Sequence, residues 1–114
     1  MKTLTKEDVE IKLIAHWEDI SVRGNVMASG DDQFDKQCED EVLERLENGD
    51  VWAWANVEVK CSYKGITSDS EYLGGCTYKD EDDFRKGGYF DDMVETCLDN
   101  LNEKLRELVN ELTD

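Results

Sequence analysis

Carboxylates dominate the side chains able to do chemistry: 29 Asp and Glu stand against 13 Lys and Arg, with one His and four Cys. In such an excess any two acids can be drawn as a catalytic pair, so none is singled out. Acid/base pairs are defined by separation and unlike pKa values, and a hydrolase built on one needs a pocket that holds both. His16 falls on the polar parity of its segment, and the sequence names no positioned partner for it. It reads as a half-exposed surface histidine rather than a general base. Cys38, Cys61, Cys76 and Cys97 are widely and irregularly spaced without a CxxC, which writes neither a zinc site nor a redox motif. They read as thiols of a reducing cytoplasm, with Cys61 facing Cys76 across a hairpin as the one pairing left open.

Two loops resemble ligand sites only superficially. Ser21–Gly30 has two glycines, yet no Lys follows and Asp31-Asp32 would repel a phosphate. Asp80–Asp83 has the acids of a calcium loop but lacks Gly at the sixth position and puts Phe84 where a ligand belongs. With no nucleophile elbow, Walker loop or HExxH, the chain is expected to be non-enzymatic and to need no cofactor or metal.

What remains is charge. A formal net charge of −16 repels nucleic acid and anionic membrane and attracts basic surfaces, so the expected partner is a cationic, nucleic-acid-binding protein or complex. The acids are concentrated. From Asp31 to Asp50 there are nine, balanced only by Lys36 and Arg45, and a helix there would carry Asp32, Asp35, Glu39, Asp40, Glu44 and Glu47 on its outer face. Side chains three or four apart on a helix lie about 5–6 Å from each other. Phosphates along one DNA strand are separated by roughly 6–7 Å for a rise of about 3.4 Å per step. Such a face can imitate a phosphate row, although an ordinary solvated helix would look the same in sequence. Asp80, Glu81, Asp82 and Asp83, then Asp91 and Asp92, form a second acidic set.

The elements that must position these acids are legible from periodicity. In Val51–Tyr63, Val51, Ala53, Ala55, Val57, Val59, Cys61 and Tyr63 share one parity, which predicts the central strand. Trp52 and Trp54 share the other parity and are read as buried beneath Ser21–Gly30, with an exposed aromatic pair for protein binding as the alternative. Thr5 and Asp8 make a capping box. Val9, Ile11, Leu13, Ala15 and Trp17 alternate as a first strand, their β-branched content favouring it over a helix through Val9, Leu13, Trp17 and Ile20. A helix capped by Ser29 or Asp31 follows, with Phe34, Cys38, Val42, Leu43 and Leu46 toward the sheet and Asn48-Gly49 at its end. Lys64–Ser70 is a hairpin loop. Glu71–Tyr78 returns as a strand with Tyr72, Cys76 and Tyr78 on one parity and a bulge or close approach at Gly74-Gly75.

A short turn at Asp80–Asp83 should bury Phe84, and Gly87-Gly88 should separate it from a last helix over about Asp91–Leu112. Val94, Leu98, Leu101, Leu105, Leu108 and Leu112 form a narrow seam whose first half covers the sheet, and whose second half either continues that cover or pairs with a second copy in a homodimer. At 114 residues the chain is one domain, 1–114, large enough for a core without disulfide or metal. MKTLTKEDVEIK does not read as a secretory signal, and no run reaches membrane-spanning length. The predicted fold is α+β: a three-stranded, mainly antiparallel sheet in order β-α-β-β-α with both main helices on one face.

Five segments together resemble a family of small acidic proteins found in phages and prophages: VRGN (Val22–Asn25), ASGDD (Ala28–Asp32), GDVWAWA (Gly49–Ala55), YLGGC (Tyr72–Cys76) and GGYFDDM (Gly87–Met93). That resemblance implies no catalytic residue. Asp80–Met93 is also similar to a phage anti-CRISPR inhibitor type that imitates duplex DNA. This implies a counter-defence inhibitor working in the host cytoplasm. A small accessory or assembly protein, binding through its aromatics or its last helix, is the alternative.

Overall fold

A computed structural model describes residues 2–113. A four-stranded antiparallel sheet is built from β1 (Glu10–Trp17), β2 (Ala55–Tyr63), β3 (Ile66–Thr67) and β4 (Glu71–Cys76), and the main helices are α1 (Asp32–Glu47) and α3 (Tyr89–Thr113) with the short α2 (Glu81–Lys86) before α3. β2 is central, pairing with β1 along one edge and with both β3 and β4 along the other. Its register with β1, Glu10 opposite Ser62 through Trp17 opposite Ala55, puts Ile11, Leu13 and Ala15 on the same face as Val57, Val59 and Cys61. Val57 and Val59 are fully buried, each contributing about 1.5–3 kcal/mol.

α3 covers that face through Val94, Cys97, Leu101 and Leu105. The α+β class, the antiparallel sheet and the two main helices are as the sequence predicts, and β3 adds a fourth strand. Lys64 and Gly65, both at positive φ, make a tight turn into it, so the predicted loop is a turn, a two-residue strand and a shorter loop. α1, rather than lying across the strands, packs at the end of the sheet in a second cluster of Val22, Val42, Ala53 and Trp54. Phe34, expected to face the sheet, is 46% exposed.

The central strand begins four residues later than its parity suggests. Asp50 caps a 3-10 turn over Val51–Ala53 by accepting from the Trp52 N–H. This turn breaks the two-residue period and sends the tryptophans apart. Trp54 is buried beside the Ser21–Gly30 connection and donates Nε1–H to the Ile20 carbonyl at 2.7 Å. Trp52 packs instead against Phe84, which also meets Tyr78 and Phe90.

The bulge forms where the glycines stand. Ala55 pairs with Cys76 but Val57 with Leu73, one extra residue in β4. Gly75 has φ +64°, and a Cβ there would lie 3.5 Å from the Trp54 ring. The bulge inverts the parity, so Leu73 and Cys76 point inward while Tyr72 is exposed, correcting the expectation that Tyr72 and Cys76 share a face. Cys61 stands on β2 opposite Ile11, whereas Cys76 stands on β4 opposite Ala55, so the two do not face each other, and all four cysteines are free thiols. Burial pushes the Cys76 thiol up to about 11. The molecule is elongated, 63 × 24 × 21 Å. Among the described residues no helix is long and apolar enough to cross a membrane.

Candidate functional site

The structure sorts the acids by what meets them. On α1, Glu39 is not an outer-face residue. It is buried, accepting from the Gly24 N–H at 2.8 Å and from Arg23 Nη1 at 3.0 Å, which hold its carboxyl below the usual range. It closes the Ser21–Gly30 connection onto the helix, the reason that an acid three residues from Val42 turns inward. Asp40 takes the other arm of Arg23 at 2.7 Å. Asp35 accepts from the Ser29 N–H and hydroxyl, and Asp31 supplies the predicted N-cap to Gln33 and Phe34. Glu44 and Glu47 are exposed, and neither enters an ion pair among the described residues.

Asp80 caps α2 through the Asp83 N–H, and Asp83 accepts from the Lys79 N–H. Both are fixed by the turn. Glu81 pairs with Arg85 at 3.0 Å and Asp82 with Lys86 at 2.8 Å, one helical turn on in each case, so those two charges are locally neutralised. Asp91 and Asp92 open α3, exposed and unpaired among the described residues. The sets on α1 and α2 are brought together by Arg45, which bonds Asp50 at 2.8 Å and reaches the carbonyls of Tyr78 and Lys79 at 2.6 and 3.4 Å.

The sequence reading missed the most regular acidic feature. Asp91, Glu95, Asp99, Glu103, Glu107 and Glu111 recur every four residues along α3; all are exposed, and none enters an ion pair among the described residues. Each step rises about 6 Å and turns about 40° at the α-helical repeat, so the five steps wind the row about 200° around the helix, from one flank of the buried stripe past the far side. Lys104 is drawn off to Asp69 at 2.7 Å, leaving Arg106 as the other base on this helix. The four-residue spacing was available in the sequence. The leucine seam, which occupies the same helix with nearly the same period, took its place.

On the other face of the sheet His16 does have a partner. Its Nε2 lies 2.8 Å from Glu58 Oε1, and Glu58, only 8% exposed, also accepts from the Ser70 hydroxyl, with Lys60 Nζ at 4.0 Å. The Ser70 hydroxyl first, and then His16, pull the Glu58 carboxyl down. The hydroxyl meets the carboxylate and not the imidazole, so this is no nucleophile–base relay. Among the described residues the carboxyls whose titration the fold displaces, those of Asp8, Glu39, Glu58, Asp69 and Asp82, all move down. Among the described residues no three His, Cys, Asp or Glu side chains converge as a metal site. The large exposed aromatics are Trp17, Phe34, Tyr72 and Tyr89 rather than the Trp52/Trp54 pair.

Comparison with protein-family models, curated proteins and solved structures finds no match for this chain. What points to a function is therefore the distribution of charge and of exposed apolar surface.

Proposed function

We propose that the protein is a non-enzymatic inhibitor that occupies the basic, nucleic-acid-binding surface of another protein by presenting acids in place of phosphates. The α3 row carries the reading. Its step of about 6 Å falls close to the roughly 6–7 Å between phosphates of one strand at a rise of about 3.4 Å. A net charge of −16 over a 63 Å length is one charge per about 4 Å. That is near the one per about 3.4 Å of a single strand and about half the density of a duplex. Glu44, Glu47, Asp91 and Asp92, from the acids singled out in the sequence, extend this field, while Glu39 serves the fold. Together with the phage resemblance, the charge favours counter-defence of the anti-CRISPR or anti-restriction type, acting in the host cytoplasm on a DNA-binding effector.

The test is capture of partners from a bacterial lysate at low and at high salt. A nuclease or other nucleic-acid-binding protein recovered at low salt and lost at high salt is the expected result, since exposed charges are screened beyond about 3 Å at 1 M salt. A partner that survives high salt favours the second reading, an accessory protein. Leu108 at 40%, Val109 at 39% and Leu112 at 85% exposure are the observation behind it: the seam continues past the sheet with little covering it among the described residues. An apolar contact there responds little to salt.

A further inference from the structure

We infer that the groove between the Leu4–Glu7 strap and the first half of α3 seats an arginine side chain of the basic partner. The inference rests on the charge-led reading above and names the chemistry of one contact within it. The groove has a volume of about 460 Å³. Leu4, Val94 and Leu98 give it an apolar floor; Glu7 on the strap and Asp91 and Glu95 on the helix stand at its rim, against one base, Lys6.

Its walls are set before anything binds. Asn102, buried in α3, accepts from the Leu4 N–H at 2.9 Å and donates to the Leu4 carbonyl at 3.1 Å, fixing the strap as a neighbouring strand would. The next residues are locked by Asp8, which accepts from the Thr5 N–H at 2.8 Å. A preformed site loses little freedom on binding. An apolar floor under an acidic rim matches a side chain with a methylene stem and a cationic head. Asp91 and Glu95 stand one turn apart, with Glu7 on the opposite wall, so carboxylates approach from more than one direction. A planar guanidinium with five donors can serve several of them at once, which an ammonium point charge does less well. The α3 row begins at this groove, so an arginine seated here would bring the following acids against the partner's basic surface.

The experiment maps amide chemical shifts of the labelled protein during titration with N-acetyl-arginine amide. Saturable shifts concentrated at residues 4–7 and 91–98 are expected, with methylguanidinium, which lacks the stem, binding at least about threefold more weakly because the floor is apolar. Asp91→Asn with Glu95→Gln should weaken arginine amide at least about fivefold, whereas Asp19→Asn with Glu41→Gln, an equal loss of charge away from the groove, should leave it unchanged within about 1.5-fold. All four positions are exposed, and circular dichroism checks that each variant is folded. Shifts that fail to saturate, that centre elsewhere, or that respond equally to both double variants overturn the inference. A parallel titration with nona-arginine separates the two levels. Salt-sensitive binding of that peptide without use of the groove defeats this inference alone, and absence of binding by either probe defeats the charge-led reading with it.

Discussion

Replacing Asp99 by lysine should make the protein more stable and a poorer binder, both effects arising from the same two pairs. Asp99 is the third acid of the α3 row, with Glu95 four residues before it and Glu103 four after, all three exposed. A like-charge pair at this spacing costs about 0.2–0.5 kcal/mol, and an opposite pair contributes a similar amount. Asp99→Lys removes two repulsions and adds two attractions, so the four terms amount to about 0.8–2 kcal/mol of stabilisation. Asp99→Asn removes the repulsions only and should yield about 0.4–1 kcal/mol. Lysine's better helix propensity acts in the same direction as its charge and is the part that salt does not screen.

Urea unfolding at about 0.01 M salt, where the screening length is about 30 Å, should rank the midpoints Lys above Asn above the native residue. At about 1 M salt the differences should contract to the propensity contribution. Capture of the low-salt partner should fall in the same order as stability rises. A lysine variant no more stable than the native protein at low salt would show that the row is not a coupled line of charge. A variant that is stabilised yet binds undiminished would remove α3 from the contact surface.

Glu39→Gln should lower the thermal midpoint by several degrees and speed amide exchange at Gly24, because the Gly24 N–H and Arg23 lose the carboxylate that closes the connection. Its pH dependence has a fixed sign. The folded carboxyl titrates below the ordinary 4.5, so its contribution is complete above that value and fades as pH falls through the lowered one. The gap in midpoint between native protein and variant should therefore narrow from about pH 6 to about pH 3, a difference in which the general relief of acid–acid repulsion cancels; a constant gap would refute the assignment. Phe84→Ala removes a fully buried ring from the Trp52–Tyr78–Phe90 cluster and should cost about 3–5 kcal/mol in denaturant unfolding. Gly75→Ala puts a Cβ at φ +64° beside the Trp54 ring and should cost about 1–2 kcal/mol in the same assay. Leu112→Ser, at an 85% exposed position, should leave stability within about 0.5 kcal/mol, and a lost high-salt partner in this variant would establish the accessory reading.

Periodicity revealed most of the fold because the core uses one face of β2 and one stripe of α3, and both patterns survive intact in the chain. It failed where a local bond broke the period. Asp50 turning Val51–Ala53 into a 3-10 turn displaced the start of the central strand and separated the two tryptophans. The extra residue at Gly74-Gly75 inverted the faces of β4. The candidate site was less legible, since a carboxylate's role depends on what meets it across the fold. Glu39 and Glu44 look alike in sequence, but Arg23 and Gly24, fifteen or so residues earlier, take one of them inside. Glu58, likewise, becomes a partner of His16 only through the β1–β2 register.

The same sorting bears on why the α3 row exists. Many acids here repay their charge locally: Asp31, Asp50 and Asp80 cap turns, Glu39 closes a loop, and Glu81 and Asp82 pair with bases one turn away. The row from Asp91 to Glu111 does none of this. Its five successive like-charge steps together oppose the helix by about 1–2.5 kcal/mol. Solubility does not account for it, because net charge dispersed over the surface keeps a protein in solution without aligning repulsive pairs on one helix. Nor does folding, since α3 is held by the separate buried stripe of Val94, Cys97, Leu101 and Leu105. A costly, regular and unneutralised line of charge on an otherwise well-anchored helix agrees with the proposed contact with a cationic partner, and opposed responses of stability and binding to Asp99→Lys would be its signature.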